Sequence, residues 1–117
     1  MRIEIKTDKL ELTDSLREFI KKKISSVEKF IQRFEDQEEA EVIVEVSRTT
    51  RHHKKGDDIY YAEANFHVKG NMIRAEHKSE SPRSAIDGMK DTLKRELIEF
   101  KEKMVENKKK GGRPDKQ

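Results

Sequence analysis

The chain has 117 residues, of which 32% are hydrophobic and 44% are charged, and its formal net charge is +3. This length suits one domain with a modest core, and this composition suits a thin domain with much exposed surface. The absence of cysteine excludes disulfides and thiol chemistry. Because no apolar stretch resembles a membrane span or a signal segment, we expect a cytoplasmic protein with no membrane partner.

Hydrophobic periodicity predicts six elements in the order β-α-β-β-β-α. Thr13 fits the N-cap of the first helix. Ser81 and Pro82 have the residue types of an N-cap and a first helical position, which predicts where the second helix begins. We predict strands over residues 1–6, 41–47, 59–68 and 72–78, and helices over about residues 14–34 and 82–104.

The element order predicts how these segments pack. A helix between the first two strands acts as a right-handed crossover and makes those strands parallel, whereas the next two connections are hairpins. The predicted fold is therefore α+β, a two-layer sandwich with a four-stranded mixed sheet and both helices on one face. We place this domain at residues 1–106 and a disordered basic tail at residues 107–117. The open face of the sheet is expected to be polar, with Tyr61, Glu63, Asn65, His67 and Arg74.

Most of the net positive charge lies in the tail. Residues 107–117 carry a net charge of +4, so the rest of the chain carries −1. Total charge therefore does not make the folded domain a nucleic-acid binder. RNA binding requires that its cations be sorted onto one face.

Both predicted helices carry a row of cations when residues are rotated by ~100° each around an ideal helix. Such rows match the spaced phosphates of a folded RNA, and their binding releases counterions. The alternative is a solvated helix surface whose lysines form weak pairs with neighbouring acids. The rows are Lys22, Lys29 and Arg33 on the first helix, and Arg83, Lys90, Lys94 and Lys101 on the second.

The remaining candidate sites are weak. The polar segment 48–58 is dense in basic residues and is either an additional RNA contact or an ordinary hairpin loop. His52 and His53 are adjacent, but a metal site needs three or four convergent ligands. No nucleophile motif, glycine-rich phosphate loop or paired-acid signature occurs. We therefore predict that the chain is not an enzyme, and that it uses no cofactor, metal or small-molecule substrate.

Three segments resemble the ribosome hibernation promoting factor family, which includes ribosome-associated inhibitors and sigma-factor modulation proteins. The resemblance covers about residues 1–104 with the same element order. The segments are Leu12-Thr13 with Leu16-Arg17-Glu18-Phe19, Tyr61-Ala62-Glu63-Ala64 with Ile73-Arg74-Ala75, and Ala85-Ile86-Asp87-Gly88 with the residues that follow it to Lys103.

The resemblance implies a function. Members of this family sit in the decoding channel of the small ribosomal subunit, contact its ribosomal RNA and sterically block translation in idle ribosomes. The partners implied are therefore the small subunit and its RNA. Together with Arg33 and Arg83 from the two rows, the resemblance implicates Lys22, Lys23, Lys29, Lys90, Lys94, Arg95 and Lys101 in RNA binding.

The chain departs from the family pattern at Arg83, where an aromatic residue is common, at Ser26, where a basic residue is common, and in its longer 48–58 segment. It also lacks the C-terminal dimerisation domain of long members, so we expect no ribosome pairing by that route. Two other hypotheses stay open. One is a generic double-stranded-RNA module that recognises shape, and the other is a protein-interaction domain that modulates a transcription factor through the open sheet face.

Overall fold

The element order is the predicted one, and it is seen in a computed structural model that describes residues 2–30, 40–50, 58–68 and 70–111. For Thr50, Asp58 and residues 104–111 only the backbone is described. The predicted α+β fold with a mixed four-stranded sheet is confirmed. The elements are β1 (Arg2–Asp8), α1 (Asp14–Glu28), β2 (Glu41–Thr50), β3 (Asp58–Val68), β4 (Asn71–Ser79) and α2 (Pro82–Gly111).

The strands lie in the order β1-β2-β3-β4, with β1 parallel to β2 and the other neighbours antiparallel. Ile5 lies opposite Val44, and Val44 lies opposite Ala64. Ala64 in turn lies opposite Ala75 of β4. Because successive side chains point to opposite faces of a sheet, this register collects the apolar residues of all four strands on one face.

The two helices cover that apolar face and close the core. The α2 helix packs against β3, β4 and α1. No polar or charged side chain is buried among the residues that the structure describes. The helical core residues are Leu16, Ile20, Ile24 and Val27 from α1, and Ala85, Ile86, Met89, Leu93 and Leu97 from α2.

Both helices begin where their capping residues predict. The backbone N–H of Leu16 donates to Oγ1 of Thr13 at 3.1 Å. The N–H of Ser84 donates to Oγ of Ser81 at 3.1 Å, and Pro82 takes the first helical position. Each cap satisfies a backbone donor that has no partner within its helix.

Three predicted boundaries differ from the structure by more than two residues. The α1 helix ends at Glu28, and the N–H of Phe30 bonds to the carbonyl of Val27 in the turn that follows; the predicted residues 31–34 lie outside the described residues. The β2 strand continues to Thr50, because residues 48–50 pair with residues 58–60. The α2 helix continues to Gly111, since lysines are good helix formers and suit a helix C-terminus; the division into a domain and a tail at residue 106 stays a prediction.

The α2 helix lies close against β4 at Gly88. A Cβ atom built at this position would lie 2.1 Å from Cδ2 of the His77 ring. No real Cβ contact is that short, so any side chain at position 88 requires the imidazole to move. Glycine at this position therefore allows α2 to pack closely against β4.

Candidate nucleic-acid interface

Cations from both helices meet around two phenylalanine rings where α1 and α2 pack together. Helical periodicity alone placed these cations in separate rows on separate helices. The structure joins most of them into one strip, which we call the helix seam. The helix seam consists of Phe19 and Lys23 of α1, Lys29 and Phe30 directly after the end of α1, and Arg83, Asp87, Lys90, Asp91 and Lys94 of α2.

One end of the helix seam is built on Phe19. The guanidinium carbon of Arg83 lies 4.8 Å from the centroid of the Phe19 ring, and its Nη2 donates to Oγ of Ser15 at 2.8 Å. The Nζ of Lys23 lies 5.2 Å from the same centroid and 2.9 Å from Oδ1 of Asp87. These contacts hold two cations from different helices in fixed positions over one ring.

The other end of the helix seam is built on Phe30. The Nζ atoms of Lys29 and Lys94 lie 5.8 Å and 5.3 Å from the centroid of its ring. Cation–π contacts at such exposed sites contribute about 0.5–1 kcal/mol each. The ring therefore draws together one lysine from each helix, although their like charges repel.

The lysines of the helix seam lower the pKa of the Asp91 carboxyl group. The pKa of Asp91 is lowered chiefly because its carboxylate accepts a hydrogen bond from Lys90, at 2.8 Å. The charges of Lys90, Lys94 and Lys23 lower this pKa further. Lysines from both helices thus influence a single carboxylate, which shows that their charges converge.

The predicted RNA-binding residues do not all lie together. Lys23, Lys29, Arg83, Lys90 and Lys94 belong to the helix seam. Lys22 is exposed on the outer side of α1, and Lys101 is half-buried two turns beyond Lys94 on the same side of α2. Arg95 is exposed on a different side of α2, because one residue turns a helix by ~100°. Arg33 lies outside the described residues, and the RNA-binding role of each residue stays a prediction.

Reasoning from sequence missed the part played by Phe19 and Phe30. Both are half-buried and pack against the core, and the sequence shows them only as neighbours of the apolar stripe of α1. Their spacing of three helical turns is the available signal. On a helix that continued to residue 30 this spacing would place both rings on one flank; in the structure Phe30 lies in the turn just after α1, and both rings receive cations from α2.

The opposite face of the domain, formed by the open side of the sheet, has an excess of acidic residues. Glu45 lies opposite Glu63, and Glu63 lies opposite Glu76, so carboxylates form a row across three strands. By strand alternation, the charged residues on this side are Glu4, Asp8, Glu41, Glu45, Glu63 and Glu76 against Arg2, Lys6, Arg74 and Lys78.

A hydrogen-bonded network orders the middle of this open face, which confirms that it is polar. The Nε of Arg74 lies 3.0 Å from Oε2 of Glu63, and Asn65 donates to the same oxygen at 3.1 Å. The hydroxyl of Tyr61 donates to the carboxylate of Glu76. Arg74 therefore lies between two acids of its own sheet, and its side chain is still about half exposed.

Tyr61 is expected to ionise only at high pH. Its partial burial raises its pKa to about 12, and the hydrogen bond to Glu76 acts in the same direction. The unfolded phenol ionises near 10.0, so the folded state holds the proton more tightly between these values. Stability is therefore expected to fall as the pH rises from about 10 to about 12. Absorbance titration of tyrosinate in the native chain and in Tyr61→Phe isolates this group. We expect the variant to lose an ionisation step near pH 12. Loss of a step near pH 10 instead would contradict the expectation.

Other kinds of site find no support in the described part of the chain. None of its helices is long and apolar enough to cross a membrane. No three His, Asp or Glu side chains within residues 2–30, 40–49, 59–68 and 70–103 are grouped to hold a metal ion. His52 and His53 lie outside these residues, and the expectation that no metal or cofactor is used stays a prediction.

The fold defines a class of small α+β domains with a mixed four-stranded sheet and two helices. A ribosomal subunit interface protein from Coxiella burnetii has this fold, with a TM-score of 0.66 over 86% of this chain and 98% of that one, at 18% identity. The chain belongs to the sigma 54 modulation protein / S30EA ribosomal protein family, whose model matches residues 3–105.

Two curated relatives extend the similarity over almost their whole length. The ribosome hibernation promoting factor of Azotobacter vinelandii is 32% identical over 114 residues, which are 97% of this chain and 94% of the relative. That of Klebsiella oxytoca is 29% identical over 107 residues, which are 92% and 100%. The predicted family is thus confirmed, as is the prediction that the chain is not an enzyme, since these relatives are non-enzymatic factors.

Proposed function

We propose that this protein is a cytoplasmic ribosome hibernation factor. It binds small-subunit ribosomal RNA in the decoding channel and sterically blocks translation in idle ribosomes. Its family and the hibernation factors that it resembles along their full length support the ribosome as partner. The choice of RNA as the contacted component rests on the distribution of charge.

The observation that carries the proposal is the separation of charge between the two faces of the domain. The helix seam holds five cations against the two carboxylates of Asp87 and Asp91. The open sheet face holds six acids against four basic residues. Phosphates are therefore attracted to the helices and repelled from the sheet. A chain whose folded part is slightly acidic overall can bind RNA only through such sorting.

The mechanism requires occupancy and no chemistry. The seam cations are held by aromatic rings and by side-chain partners, so less side-chain entropy is lost when they bind phosphates. Each phosphate that they neutralise releases counterions. The Arg83 guanidinium can bind a phosphate with two hydrogen bonds, which a lysine cannot do. A rigid domain seated in this way excludes other ligands from the space that it fills.

Cosedimentation tests the proposal. The full chain is mixed with purified small subunits, large subunits or a plain RNA duplex, at about 50 mM and about 200 mM salt. We expect salt-sensitive binding to small subunits, little competition from the duplex, and reduced output from a cell-free translation reaction. Equal affinity for the duplex would support the generic RNA module, and failure to bind small subunits at low salt would refute the proposal.

The competing protein-interaction hypothesis makes a distinct prediction. A domain that binds a transcription factor through the open sheet face would keep its activity after the helix seam is neutralised. It would lose that activity when Glu45 or Lys78 on the sheet is changed. The proposal expects the opposite dependence for binding to small subunits.

A further inference from the structure

The strand β4 is an exposed edge of the sheet. It is nine residues long and, within the part of the chain that the structure describes, it has a neighbour, β3, on one side only. Edge strands present unpaired backbone N–H and C=O groups that can pair with another chain. We propose that β4 pairs antiparallel with β4 of a second copy of this chain, which joins the two sheets into one.

The register of this pairing follows from the sequence of β4. If Ala75 lies on the two-fold axis, all nine residues of Asn71–Ser79 overlap with their counterparts. Arg74 then lies opposite Glu76 of the second copy, and Glu76 lies opposite its Arg74. A shift of the axis by one residue puts Arg74 opposite Arg74 or Glu76 opposite Glu76. The register with the fullest overlap is therefore also the one with complementary charges, and cross-strand pairs of this kind contribute about 0.2–1 kcal/mol each.

The same register gives the exposed Met72 a neighbour. Met72 is 58% exposed, and it is the exposed large hydrophobic side chain among the described residues. In the paired strands it lies opposite Lys78 of the second copy, whose aliphatic stem can cover it. A shallow concavity lined by Tyr61, Glu76, His77 and Lys78 adjoins that position. The exposed Met72 of one copy thus lies beside the concavity of the other copy.

The pairing leaves the helix seam open. Arg83 and Lys94 lie on the side of α2 that meets α1. Gly88 lies on the side of α2 that meets β4. A partner added at β4 therefore approaches the domain from the flank opposite the cations, so the inference does not depend on the proposed function.

Sedimentation velocity of the full chain, from micromolar to millimolar concentration, tests the inference. We expect a weak, concentration-dependent dimer, because the contact consists of one strand pair. Arg74→Glu and Glu76→Arg should each raise the dissociation constant by about tenfold or more, since each places like charges opposite one another twice. A matched control, Lys6→Glu on the distant strand β1, should leave it unchanged.

Mixing the two variants gives the decisive result. Arg74→Glu and Glu76→Arg chains complement each other in the proposed register, so an equimolar mixture should dimerise as the native chain does. The double variant carrying both changes should also recover dimerisation. Circular dichroism of each variant verifies folding. A native chain that stays monomeric at every concentration, a dimer insensitive to both changes, or a mixture that fails to associate would each overturn the inference.

Discussion

Reversing the charges of Lys29 and Lys94 together is expected to weaken binding to small ribosomal subunits by about tenfold or more at low salt. Both ammonium groups lie over the Phe30 ring, one from each helix. Two glutamates there would remove two phosphate-binding cations and add two repulsive charges. The slope of log affinity against log salt should also become shallower by roughly 0.7–0.9 for each phosphate that is no longer neutralised. Cosedimentation over a series of salt concentrations measures both quantities.

Arg95→Glu is the matched control for this experiment. It reverses a charge at the position next to Lys94, but on a different side of α2 and away from the helix seam. It should change affinity far less than Lys94→Glu alone, and so should reversal of Lys109 and Lys110. Equal reductions in affinity from Arg95→Glu and Lys94→Glu would show that the helix seam is not the RNA-binding surface.

Gly88→Ala is expected to destabilise the fold, because the collision that it creates costs about 1–3 kcal/mol, the range for an overpacked contact. The added Cβ would collide with the His77 ring, and relief requires the imidazole to leave its position beside α2. The helix gains at most about 1 kcal/mol from replacing a glycine with alanine, so the net destabilisation is expected to reach up to about 2 kcal/mol. Urea denaturation of the two chains measures the difference in the free energy of unfolding.

The His77→Ala background reverses the sign of this prediction. Without the imidazole the collision disappears, and the helical preference of alanine remains. Gly88→Ala should then stabilise the chain by up to about 1 kcal/mol. A substitution that destabilises both backgrounds equally would show that His77 is not the obstacle and that the backbone of β4 limits the approach of the helix.

The element order and the core were predictable from sequence because their signals are periodic and local. Leu93 and Leu97 repeat at helical spacing, and Val42, Val44 and Val46 alternate as in a strand with one buried side. Thr13 and Ser81 marked the helix starts through a single hydrogen bond each. None of these signals requires knowledge of another element.

The arrangement of the candidate site was less predictable, because it depends on contacts between elements. A helical wheel gives the angle of Lys94 around α2, but not which neighbour lies at that angle. The meeting of Lys94 with Phe30, and of Arg83 with Phe19, requires the packing of α1 against α2. For the same reason Arg95 was grouped with the seam cations by family resemblance, although the structure places it on another side.

The hydrogen bond from Arg83 to Ser15 joins residues that are 68 positions apart in the chain. During synthesis, α1 leaves the ribosomal exit tunnel long before α2 has been made. Until α2 emerges, the inner face of the sheet lacks half of its helical cover, and Phe19 and Phe30 have no cations from the second helix. On the proposed function, a nascent chain therefore cannot silence the ribosome that is producing it, because its binding surface is assembled only when its last helix docks.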